Sequence, residues 1–151
     1  MTGLSHAVTG AFLVVAIKEP AIALPAAFLS HFLIDALPHY DHKDLMPKPW
    51  LYKTVLISDA VLSIGVLMFF ALTLNEPAWL IFSGGLLGIA PDLMWLPAIV
   101  EGKVAPRNKK NVLHMMRRFH AWVQWYEGPR GLYVELAWIV LMSATIWSIG
   151  R

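Results

Sequence analysis

The stretch TVLISDAVLSIGVLMFFALTL, residues 54–74, decides the fold class. Apart from Asp59 it carries no charge, and it meets the length of ~20 apolar residues that a helix needs to cross a bilayer core. A second such run, 78–100, follows the tight turn Asn75-Glu76-Pro77, and a third occupies 131–149. Two shorter runs come first, at 4–17 and 21–37, divided by Lys18-Glu19-Pro20. Their length suits tilted spans or a re-entrant hairpin, and spans are the preferred reading. Composition agrees with lipid as the solvent: of 151 residues 58% are hydrophobic and 15% charged, with mean hydropathy +0.59. The expectation is an all-α, polytopic membrane bundle of about five helices, forming a single integral membrane domain over 1–151. Residues 1–7 lack a basic n-region and place His6 where a signal peptide is apolar, so this segment reads as a retained helix.

Residues 109–126 behave differently. Val112, Met115, Met116, Phe119, Trp122, Val123 and Tyr126 recur at helical spacing, with Lys110, His114, Arg117 and Gln124 roughly opposite. A basic amphipathic helix rich in Trp and Met reads as lying in the membrane interface. With five spans, the polar segments 39–53 and 101–130 share a side with the N-terminus. They hold Lys43, Lys48, Lys53, Lys103, Arg107, Lys109, Lys110, Arg117, Arg118 and Arg130, leaving only Lys18 and Arg151 for the other side. The positive-inside rule then makes the N-terminus and both large loops cytoplasmic, and the expected location is the cell (inner) membrane. The partners this implies are membrane lipids. The formal charge of +2 is too mild, and too local, for nucleic acid.

Every apolar run contains an ionisable residue, which in a span is costly enough to need a reason. His6 opens the first run, His31 and Asp35 close the second, Asp59 stands early in the third, Asp92 late in the fourth and Glu135 early in the fifth. Alternating directions bring all of them toward the same half of the membrane. His31 and Asp35 are four apart and share a helical face, a spacing that suits two ligands on one metal or a ligand and its orienting carboxylate. Pro38 ends that helix, and His39, Asp41 and His42 follow in a loop able to fold back. The metal candidates are therefore His6, His31, Asp35, Asp41, Asp59 and Asp92. His39 and His120 are the candidate proton carriers, and Arg117 and Arg118 either hold a phosphate or grip lipid headgroups. With no cysteine in the chain, any metal rests on His and carboxylate donors: zinc first, then manganese, iron or magnesium. Ordinary packing histidines and interhelical hydrogen bonds are the bland alternative for each residue taken singly. No Gly-x-Ser-x-Gly elbow, P-loop or dinucleotide fingerprint is present.

Ser5-His6-Ala7, the segment from His31 through Asp35-Ala36-Leu37-Pro38-His39-Tyr40-Asp41-His42, and Ala90-Pro91-Asp92 together carry a resemblance. The chain resembles the membrane-bound metal-dependent hydrolase family, of the YdjM-like, LexA-binding inner-membrane-associated type. The resemblance matches His6 to an early family histidine, residues 35–42 to an acidic His-containing segment, and His120 to a later His-bearing loop. The family's His-Arg-Gly-x-Thr-His loop is absent here. The resemblance implies a metal-dependent hydrolase acting on a phosphoester or ester of a lipid-like substrate. A metal-ion or proton transporter and a non-catalytic membrane anchor or assembly protein are the alternatives.

Overall fold

The computed structural model describes residues 1–40, 48–97 and 112–151. Among them are six α-helices: α1 (Gly3–Ile17), α2 (Pro20–Asp35), α3 (Pro49–Thr73), α4 (Ala78–Ile89), α5 (Val112–Val123) and α6 (Gly131–Ile149). Three stretches, Trp50–Thr73, Ala78–Trp95 and Gly131–Ile149, are long and apolar enough to cross a membrane. Helices α1 and α2 have 15 and 16 residues. At ~1.5 Å per residue they fall short of a ~30 Å hydrocarbon core.

Local sequence sets the helix ends. Thr2 caps α1 by accepting from the Ser5 amide, and Lys18 ends it in the left-handed region at φ 61°. Glu19 caps α2, whose first residue is Pro20, a position where the missing N–H costs nothing. The expected fourth span is not a single α-helix. It turns into a 3₁₀ segment at Ala90–Trp95, because Pro91 has no N–H to continue the α-helical ladder.

Helix α1 is the axis of the bundle and packs against α2, α3, α4 and α6. Its Ala7, Val8, Ala11, Val14 and Val15 are fully buried among Ala23, Leu67, Phe70, Leu80, Ile81 and Ile146. The outer helices turn their large apolar side chains outward instead. Val61, Leu62, Ile64, Met68, Phe69 and Leu72 of α3 are all exposed, the pattern expected where the surrounding solvent is hydrocarbon. The closest approach in the core is between α1 and α4. A Cβ on Gly10 would strike the Gly84 carbonyl, and one on Gly88 would strike the His6 carbonyl. These glycines let two backbones touch, and the contact seats His6 against the end of α4.

Candidate metal centre

Five side chains converge at one end of the bundle. His6 comes from the first turns of α1, His31 and Asp35 from the last turn of α2, Asp92 from the 3₁₀ segment, and His120 from α5. The side chains of His6, His31, Asp35 and His120 are at most 1% exposed, whereas Asp92 is 33% exposed and marks the open side. The rings of His6 and His31 stack at 3.9 Å, aiming their Nε2 atoms the same way. His6 Nε2 lies 3.1 Å from Asp35 Oδ1 and 4.0 Å from Asp92 Oδ2. His31 Nε2 lies 3.3 Å from Asp35 Oδ2 and 3.6 Å from Asp92 Oδ1. His120 Nε2 lies 3.1 Å from Asp35 Oδ2 and 3.3 Å from Asp92 Oδ1.

The 3₁₀ segment explains the orientation of His31. In that geometry the Gly88 carbonyl would be served by the amide three residues on, which is Pro91 and has no hydrogen. The imidazole takes the carbonyl instead, with His31 Nδ1 at 2.8 Å from Gly88 O. A carbonyl only accepts, so Nδ1 carries the proton and Nε2 presents a lone pair to the cluster. That lone pair then faces two carboxylates and the His120 ring, an arrangement that a cation among them would satisfy. His6 adds a second sign. It is buried, yet neither ring nitrogen makes a hydrogen bond among the described residues, the 3.1 Å approach to Asp35 being off the required direction.

Two sets of ligand atoms, His6–His31–Asp35 and His31–Asp92–His120, each lie within 4.8 Å of one another and are able to hold a metal ion. The imidazole and carboxylate donors fit a divalent transition metal. Asp35 is further held by the Met1 amino group at 2.5 Å and by Gln124 Nε2 at 3.2 Å. Burial alone would push the His120 pKa down. Hydrogen bonds to Asp35 and Asp92 outweigh it and raise the pKa from 6.5 to about 9. Comparison with protein-family models, curated proteins and solved structures finds no match.

The remaining candidates have other surroundings. The Asp59 carboxylate accepts from the Gly3 and Leu4 amides at 2.7 and 3.0 Å, so it caps α1 from the neighbouring helix and belongs to neither set of ligand atoms. His39 is buried but donates from Nδ1 to Leu37 O at 2.8 Å, while its backbone pairs with Tyr126 and Gly128. It fastens the chain after α2 to the turn before α6. Glu135 accepts from the Thr2 and Tyr40 amides at 3.1 and 2.8 Å. Asp41 lies outside the described residues, as do His42 and the expected helical residues 109–111. Helix α5 ends at Val123, before the expected 126, and sits with Arg117, His120 and Val123 inward, while Val112, Met115, Phe119 and Trp122 are exposed. Arg117 is not free for phosphate, since its Nε and Nη2 both donate to the Met94 carbonyl. Trp95, whose indole N–H reaches His120 Nδ1 at 3.3 Å, escaped the sequence reading. Only its place three residues after Asp92 hinted at it.

Proposed function

We propose that this chain is a multi-pass protein of the cell (inner) membrane whose buried His/Asp cluster binds a divalent metal, zinc by preference, for hydrolysis. The substrate is a phosphoester or ester of a lipid-like molecule, and the centre faces the cytoplasm. The observation that carries the reading is the set of imidazole and carboxylate acceptors pointed at one another with His6 left without hydrogen bonds. A divalent cation among these donors would satisfy that arrangement. A bound zinc would lower the pKa of a coordinated water and polarise a phosphoryl or carbonyl oxygen.

The protein's own groups divide the remaining work. His6, His31 and Asp35 hold, Gln124 fixes the Asp35 carboxylate, and Asp92 and His120 stand at the open side where a substrate enters. Leu93 and Phe119, next in sequence to Asp92 and His120, are both exposed and apolar, and such side chains suit an acyl chain. The resemblance to membrane-bound metal-dependent hydrolases supports the same reaction class as an analogy. Ion transport is less well supported, because beyond the cluster the core is apolar: Val8, Ala11, Val14, Val15, Leu67 and Ile81 are fully buried there.

The test is a screen of phospholipid and lipid-ester substrates with purified protein in nanodiscs. The expected result is turnover that chelation removes, zinc restores, and Asp35→Asn abolishes without loss of membrane insertion. Turnover of equal rate in the chelated protein or in Asp35→Asn would overturn the hydrolase reading.

A further inference from the structure

Ring-nitrogen protonation distinguishes the two sets of ligand atoms. Trp95 Nε1 lies 3.3 Å from His120 Nδ1, and an indole nitrogen can only donate. In the neutral ring that a neighbouring metal ion favours, His120 Nδ1 is therefore the acceptor, which leaves the proton on Nε2. His31 is fixed the opposite way, with its proton on Nδ1 given to Gly88 O. Between the two rings, the Nε2 atoms are 2.8 Å apart, a distance that needs one donor and one acceptor. The two assignments, made independently, supply one of each. Without a metal the His120 Nε2–H donates to His31 Nε2; a metal on that His31 lone pair removes the acceptor and frees the His120 N–H.

We infer that His6, His31 and Asp35 are the metal ligands and that His120 stands beside them as a hydrogen-bond donor, its tautomer set by Trp95. This rests on the metal reading above and adds the division of labour within it. To ligate through Nε2, a neutral His120 would have to move its proton to Nδ1, against the Trp95 N–H. His31 meets no such obstacle, and His6 has no hydrogen bond to lose. Two histidines and one carboxylate leave coordination positions open, as a catalytic zinc requires. The His120 Nε2–H then points into the open side beside Asp92, where it can hold an anionic oxygen of a substrate. Trp95 is a positioning residue that acts through His120. It is itself steadied by the Arg117 guanidinium, 5.4 Å from its ring centroid.

The experiment uses the full chain in detergent micelles loaded with zinc. Zinc content and affinity are measured for His6→Asn, His31→Asn and His120→Asn, and histidine ¹⁵N NMR reads the tautomer of each ring. His6→Asn and His31→Asn are expected to empty the site, while His120→Asn weakens zinc by less than about tenfold, the lower end of what residues surrounding the ligands cost. In the wild type, His120 should carry its proton on Nε2. In Trp95→Phe that ring should become a tautomer mixture with zinc retained. A His120 signal showing zinc on Nε2, or zinc lost from His120→Asn and kept in His6→Asn, would overturn the assignment while leaving a metal centre. Wild-type protein that binds no zinc would overturn the metal reading and this division together.

Discussion

Asp59 and Asp35 are both carboxylates set in apolar helices, yet their surroundings give them different work. Asp35 faces three imidazole Nε2 atoms, whereas Asp59 faces two backbone amides of the α1 first turn. Asp59→Ala should therefore lower thermal stability by ~1–3 kcal/mol, the range for hydrogen bonds to a charged group, and leave metal stoichiometry intact at low temperature. Scanning calorimetry beside elemental analysis checks both halves. Loss of metal from a still-folded Asp59→Ala would restore Asp59 to the ligands. His120 yields a prediction in pH. Its pKa in the metal-free fold, about 9, lies above the unfolded value near 6.5. The associated stability is fully present below pH 6.5 and is lost as pH rises through 9. The melting temperature of metal-free protein should thus fall between pH 7 and 10, and His120→Gln should lack that fall. Equal pH profiles for the two proteins would contradict this account of His120.

At the scale of elements, the site depends on how α4 ends and how closely it meets α1. Pro91 breaks the helix and leaves the Gly88 carbonyl for His31. Pro91→Ala returns an amide to that ladder, and the metal dissociation constant should rise roughly 10–100-fold, as for lost partners of ligating histidines elsewhere. Isothermal titration measures it, and an unchanged constant would deny Pro91 this role. The sequence carried much of this. His31 and Asp35 share a face because they are four apart on a helix, and the α1, α2 and α4 register brings His6 and Asp92 to the same end. What it could not carry was the long-range pairing. The Met and Trp face of the amphipathic helix is exposed, as an interfacial helix requires, and His120 at its edge reaches in. The inward turn of Arg117, read as lying opposite that face, depends on the Met94 carbonyl and has no local sign. Likewise the buried His39 and Glu135 read as chemistry, but backbone amides and carbonyls claim them.

For the whole molecule, the cluster sits at the end of the bundle opposite the Lys18–Glu76 ion pair, whose atoms are 3.5 Å apart. In the proposed topology, which rests on the charge asymmetry of the sequence, the cluster's end faces the cytoplasm. A chain without cysteine makes this directly measurable. Single cysteines at Lys48 and Arg130 should be shielded from an impermeant thiol reagent in intact cells, while those at Lys18 and Asn75 should label. The reverse pattern would invert the topology. The central claim, that the buried cluster is a metal centre, is tested most directly by elemental analysis. Detergent-purified wild type, prepared without chelators, is measured beside the His31→Ala/Asp35→Asn double variant. The account predicts near-stoichiometric zinc, or a metal of the same class, in the wild type and almost none in the variant. A well-folded wild type that carries no metal and takes none up on reloading would contradict it.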